Sequence, residues 1–179
     1  MKKVSVQRSE KNSIKITLPL KESDLCKLKA GEEVLLTGVV YTARDAAQQR
    51  MAKKLPLNIK GAAIYHTGPS PSKPGEVIGS CGPTTSARMD DYTPVLLKKG
   101  LKAVIGKGRL GDTARKAFKK HQAIYFLAPG GCGALLADKV KSMTLVAYKD
   151  LGCEAIYKLK IDDFPVIVGI DAKGRSVYR

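Results

Sequence analysis

Short apolar runs, each closed by glycine, proline or a cluster of charges, set the rhythm of this chain. Val4 to Val6 and Ile14-Lys15-Ile16-Thr17-Leu18 read as short strands by alternation. Lys21 to Leu25 predicts the opening of a short helix capped by Ser23 or Asp24 and ended by Lys29-Ala30-Gly31. Val34 to Thr42 is nearly continuous in apolar character and predicts a buried strand, followed at once by the helix formers of Ala43 to Lys54. Gly61 to His66 predicts another strand, and a Ser/Pro-rich loop then leads to Gly82-Pro83, which reads as the opening turn of a helix. That helix should break at Pro94, with Thr93 as a fresh cap, and end at Gly100. Beyond it the pattern predicts strands at Ala103 to Ile105, Ala123 to Leu127, Thr144 to Tyr148, Ala155 to Leu159 and Val166 to Ile170. Helices are expected near Thr113 to Lys120 and from Ala134 to Val140.

Strands alternate with helices in the middle and dominate both ends, so the expected class is α/β with a layered arrangement. The length of 179 residues predicts a single domain over 1–179 with a real core. No apolar run approaches a membrane span, and charge at Arg8-Ser9-Glu10-Lys11 interrupts the start, so the expected location is cytoplasmic. The four cysteines, Cys26, Cys81, Cys132 and Cys153, include no C-x-x-C pair; they read as buried free thiols in a reducing compartment, with no metal ligands among them. A net charge of +16 invites a polyanion as partner. The lysines are scattered, however, and Trp is absent, so the base-stacking pattern of a nucleic-acid binder is missing.

Candidate chemistry gathers after the strands. Thr42-Ala43-Arg44-Asp45, Gly82-Pro83-Thr84-Thr85-Ser86-Ala87-Arg88 and Gly106-Lys107-Gly108 each place a cation at a strand end, where ligands collect in α/β sheets. Arg44 and Arg88 suit bidentate contact with carboxylates, and Lys107 suits a point charge between glycines. The pattern predicts a pocket for an anion with two carboxylates. Asp45 is expected to cap its helix or to hold Arg44 by an ion pair. Gly130-Gly131 fits no phosphate-binding fingerprint and reads as close helix–strand packing. His66 and His121 have no metal-ligand spacing and are expected at the surface or in hydrogen bonds.

Thr42 to Ala47, Ile64 to Pro69, Gly82 to Asp90, Ile105 to Gly108, Leu151 to Ala155 and Asp163 to Val168, followed by Asp171 and Gly174, occur together and in order. This series resembles the beta subunit, or carboxyl-terminal domain, of the iron–sulfur class I fumarate hydratases and L-tartrate dehydratases. The resemblance runs from about Leu18 onward. It implies a three-layer swivelling β/β/α domain with a mixed sheet. It also implies a separate alpha subunit that holds a four-iron, four-sulfur cluster, with no metal held by this chain. Thr84 takes the role of base by resemblance, and Arg44, Arg88 and Lys107 bind the substrate carboxylates. Many relatives carry His where this chain has Gln48, and Gln cannot titrate. The expected activity is therefore that of an iron–sulfur hydro-lyase interconverting malate and fumarate, active only with its alpha subunit. L-tartrate dehydration is the alternative within the class, and a non-catalytic module for nucleic acid or an acidic protein is the alternative outside it. The expected partners are the alpha subunit and a dicarboxylate, without nucleic acid or membrane, in a heterotetramer or around a homodimer of beta subunits.

Overall fold

The computed structural model describes residues 7, 8 and 13–178, so the strand expected at Val4 to Val6 lies outside the described residues. Strand β1 (Gln7–Arg8) pairs antiparallel with β2 (Ile14–Thr17), which lies parallel to β3 (Glu33–Thr42). Helix α1 (Glu22–Leu25) sits in the connection. After β3 come α2 (Asp45–Lys53), β4 (Ala63–Tyr65), the 3-10 turn η1 (Ser86–Met89), α3 (Thr93–Lys98) and β5 (Ala103–Gly106). Then follow α4 (Asp112–His121), β6 (Ile124–Leu127), α5 (Gly133–Ala137), β7 (Val140–Ala147), the 3-10 segment η2 (Lys149–Glu154) and β8 (Ile156–Ile170).

Strands β3, β4, β5 and β6 are parallel neighbours in that order. The long β8 runs antiparallel to both β3 and β6, so the pairings return on themselves through β3, β4, β5, β6 and β8. The result is a mixed sheet, with β7 added on β8 and β2 on β3. Because side chains alternate across a strand, β4 to β6 feed two apolar clusters. Ala63, Tyr65, Ala103, Ile105, Ile124 and Phe126 join β2, β3 and β8 residues in one. Ile64, Val104 and Tyr125 meet Met51 of α2, Leu96 and Leu97 of α3, and Phe118 of α4 in the other. Burial on both faces explains why these strands carry unbroken apolar runs. No helix among the described residues is long and apolar enough to cross a membrane.

Several local expectations change; among them, Thr93 lies inside α3 with Tyr92 at the cap position, and the helix expected from Ala134 to Val140 ends at Ala137, with Val140 opening β7. The two strands predicted at Ala155 to Leu159 and Val166 to Ile170 are one strand, carried through the polar Asp162-Asp163 by a bulge. Leu36 pairs with Phe164 but Gly38 pairs with Ile161, so Thr37 alone faces two residues. Thr37 Oγ1 accepts the Asp163 N–H at 3.0 Å and donates to Asp162 Oδ1 at 3.2 Å. The extra residue changes the parity of the strand. Leu159 and Ile161 before it, and Phe164, Val166 and Val168 after it, all reach the same cluster. At α1 the cap position is Lys21; Asp24 lies inside the helix and its Oδ2 accepts the Lys21 N–H at 3.3 Å. The cysteines are all free, but only Cys81 is buried, while Cys26 and Cys153 are exposed.

Candidate active site

The parallel strands end on one side, and the candidate residues follow them there. Helix α2 begins immediately after β3, with Arg44 at its cap position. The closing contacts come from a distant segment: Thr42 Oγ1 donates to the Ala155 carbonyl at 3.1 Å and accepts the Tyr157 N–H at 2.9 Å. This holds η2 against α2. Glu154 Oε2 then accepts the Ala46 N–H at 2.9 Å, satisfying one free donor of the helix start, and Oε1 lies 3.3 Å from Arg44 Nε. A Cβ on Gly68 would come within 3.0 Å of Arg44 Cδ, so glycine lets that loop lie across the arginine.

The Gly82-Pro83-Thr84-Thr85 segment is not the first turn of a helix. It runs extended, pinned to the end of β4, and the helical turn begins only at Ser86. Tyr65 Oη donates to the Cys81 carbonyl at 2.7 Å, Thr67 Oγ1 to the Gly82 carbonyl at 2.7 Å, and Thr84 N–H to the His66 carbonyl at 2.8 Å. Residues that would have opened a helix are thus consumed as a rung beside β4 and β5, including a bridge between Thr85 and Lys107. Thr85 stands at the cap position of that turn, but its side chain makes no cap hydrogen bond. The sequence spacing of Thr84 and Arg88 nevertheless brings them together, with Nη1 3.4 Å from Thr84 Oγ1.

Asp45 joins the two arginines. Its Oδ1 accepts Arg88 Nε at 2.8 Å and its Oδ2 accepts Arg88 Nη2 at 2.5 Å and Arg44 Nε at 3.2 Å. The ion pair expected with Arg44 is therefore present, and a second, unforeseen one holds Arg88 by a fork. One edge of Arg88 is committed to Asp45, leaving Nη1 directed at Thr84. Burial pushes the Asp45 carboxyl upward, but hydrogen bonds from Arg88, its own backbone and Arg44 outweigh it and hold the group below its ordinary 3.8. A depressed folded value means that ionised Asp45 stabilises the fold fully above the unfolded value, and that this is lost as pH falls through the folded one. Asp45→Asn should accordingly flatten the fall in melting temperature below about pH 4, relative to the wild type, with little change in slope above pH 5. Thermal denaturation across pH 2.5 to 6 reads this directly.

Lys107 follows β5. Its backbone is fixed by Ser86, whose N–H donates to the Lys107 carbonyl at 3.0 Å and whose Oγ accepts the Lys107 N–H at 3.2 Å. Its ammonium has no hydrogen-bond or ion-pair partner among the described residues, and its stem passes Gly130. Gly131 has nothing within 4 Å of a would-be Cβ, so the close packing expected at Gly130-Gly131 lies instead at Gly133, against Ser80 and Gly82. Gln48 is buried, with Nε2 donating to the Ala43 carbonyl at 3.1 Å and Oε1 unpaired among the described residues. Arg44, Asp45, Arg88 and Thr84 are thus linked by hydrogen bonds, Lys107 is bridged through its backbone to Thr85 beside them, and the Arg88 side chain remains 49% exposed. The sequence reading missed Glu154 and Ser86. Glu154 stood within a recognised motif, but only the fold reveals that it reaches α2.

A family model of the fumarase C-terminus matches residues 1–179. The chain belongs to that family. It is 40% identical over 171 residues to the provisionally named L(+)-tartrate dehydratase beta subunit of Methanocaldococcus jannaschii, covering 89% of this chain and 88% of that protein. It is 33% identical over 170 residues to the L(+)-tartrate dehydratase beta subunit of Escherichia coli K12, covering 90% and 85%. The anaerobic class I fumarate hydratase of the same strain is 34% identical over 185 residues, which is 97% of this chain but 34% of that enzyme. Fumarase C-terminal chains are thus found both as separate beta subunits and as about a third of a longer enzyme. Among the described residues no three His, Cys, Asp or Glu side chains stand close enough to hold a metal ion.

Proposed function

We propose that this chain is the beta subunit of an iron–sulfur hydro-lyase acting on a four-carbon dicarboxylate, interconverting (S)-malate and fumarate. The observation that carries the reading is that Asp45 ties Arg44 and Arg88 together beside Thr84, with Lys107 bridged through its backbone to the neighbouring Thr85. In this reading the chain is a single three-layer swivelling domain. It is cytoplasmic and docks on an alpha subunit that supplies the cluster, which when bound polarises the departing hydroxyl. The beta chain's work is on the carboxylates and the C3 proton. Arg44 and Lys107 hold the carboxylates, and their charge offsets the negative charge that develops as the proton leaves. Thr84 accepts that proton. A threonine hydroxyl is a weak base, and Arg88 Nη1 beside Oγ1 favours its ionised form. Asp45 and Glu154 fix the arginines without neutralising Lys107.

L-tartrate is the second reading, because the relatives of matching length are tartrate dehydratase beta subunits. Malate and tartrate would both present two carboxylates and a departing hydroxyl to the same residues. Co-expression with a family alpha subunit, anaerobic cluster reconstitution and assays on malate, fumarate and tartrate separate them. The complex should turn over one of the diacids and the beta chain alone none. A beta chain that dehydrates malate unaided would overturn the division of labour, and a reconstituted complex inert on all three would overturn the activity.

A further inference from the structure

We propose that His66 is a positioning residue for the dicarboxylate site, fixing through the Ser86 hydroxyl the spacing between the segment bearing Thr84 and Arg88 and the loop bearing Lys107. The proposal rests on the hydro-lyase reading for its substrate, while its geometry lies within this chain. His66 follows β4, is completely buried, and has no part in the chemistry described above. Its Nδ1 stands 2.9 Å from Ser86 Oγ, the same oxygen that accepts the Lys107 N–H. Its carbonyl accepts the Thr84 N–H. One residue therefore grips the Thr84 segment by its backbone and the Lys107 loop through its ring.

The packing around this pair is close on the β5 side. A Cβ on Gly106 would overlap Ser86 Oγ and come within 3.2 Å of His66 Nδ1, so β5 closes on the contact with bare backbone. Beyond Lys107, Tyr125 Oη donates to the Gly108 carbonyl at 3.0 Å. The loop is thus held at Lys107 by Ser86 and at Gly108 by Tyr125. Burial drives the imidazole pKa down to about 3 against the opposing pull of Asp45, so the ring is held neutral. Its Nε2 is buried with no hydrogen-bond partner among the described residues. Such an orphan is costly, and a smaller apolar side chain would avoid it. A ring retained there on Nδ1 alone fits a role in placing Ser86.

Asparagine can present a polar atom near the Nδ1 position, whereas the longer glutamine displaces it. In the assembled complex, His66→Gln and Ser86→Ala should each lower kcat/KM for the diacid about tenfold or more, with His66→Asn close to wild type. The double variant His66→Gln/Ser86→Ala should be no worse than the poorer single, because the two act as one unit. In the beta chain by itself, the Lys107 amide should exchange its hydrogen about tenfold faster in His66→Gln and at the wild-type rate in His66→Asn. Wild-type turnover by His66→Gln, or additive losses in the double variant, would overturn the positioning role and leave the hydro-lyase reading standing. Unchanged Lys107 exchange in His66→Gln would overturn it irrespective of turnover. A wild-type complex without activity would overturn the hydro-lyase reading instead, and amide exchange then decides the role of His66.

Discussion

Thr84→Ala should lower kcat of the assembled enzyme by about 10²–10⁴-fold, the range removed with a general base, and leave folding intact. The substitution deletes one hydroxyl, and the backbone bond from Thr84 N–H to His66 is retained. Exchange of the malate C3 proton in deuterated water should fall in parallel, because the same oxygen takes that proton in both measurements. Thr85→Ala is the matched control. Its side chain is exposed and makes no cap hydrogen bond, so turnover and stability should both stay near wild type. Loss of exchange in Thr85→Ala with retention in Thr84→Ala would move the base by one residue. Retention in both would assign proton removal to the alpha subunit.

Arg88→Ala should be the next most damaging change, reducing kcat/KM by about 10- to 150-fold if it removes one charge-assisted contact of roughly 1.5–3 kcal/mol. The structure adds a sharper expectation. Arg88 forks onto Asp45 through Nε and Nη2 while Nη1 reaches Thr84, a geometry that a single ammonium cannot reproduce. Arg88→Lys should therefore restore charge without restoring rate. Lys107→Arg offers the contrast, since the Lys107 ammonium has no forked partner to lose. Steady-state kinetics of the three variants in complexes of verified assembly provide the check. Full recovery in Arg88→Lys would show that only the charge at this position matters.

The parallel strands and their terminal cations were legible because they obey local rules. A strand buried on both faces must be apolar, and Ala123 to Leu127 is, while Val34 to Thr42 is nearly so. Thr84, Arg88 and Lys107 stood out because glycines and hydroxyls cluster around them. What stayed hidden depends on partners far along the chain. Asp162-Asp163 resembles a turn until Thr37 supplies the opposing hydroxyl that makes it a bulge. Gly82-Pro83 resembles a helix start until Tyr65, His66 and Thr67 claim the backbone groups around it. Glu154 is an ordinary acid in sequence, and only the clasp of Thr42 on Ala155 and Tyr157 carries it to Arg44.

The closed circuit of strand pairings has a consequence for how the protein is made. Glu33 pairs with Ile167, so the strand that opens the circuit waits for nearly the whole chain before its antiparallel partner exists. Pairings of such separation are slow to find, because most of the chain's loop entropy is surrendered before they form. During synthesis Thr84, Arg88 and Lys107 all emerge before β8, and β8 fills the apolar cluster beneath the strands that carry them. Maturation of the binding face is therefore tied to release of a strand that contributes none of its proposed ligand contacts.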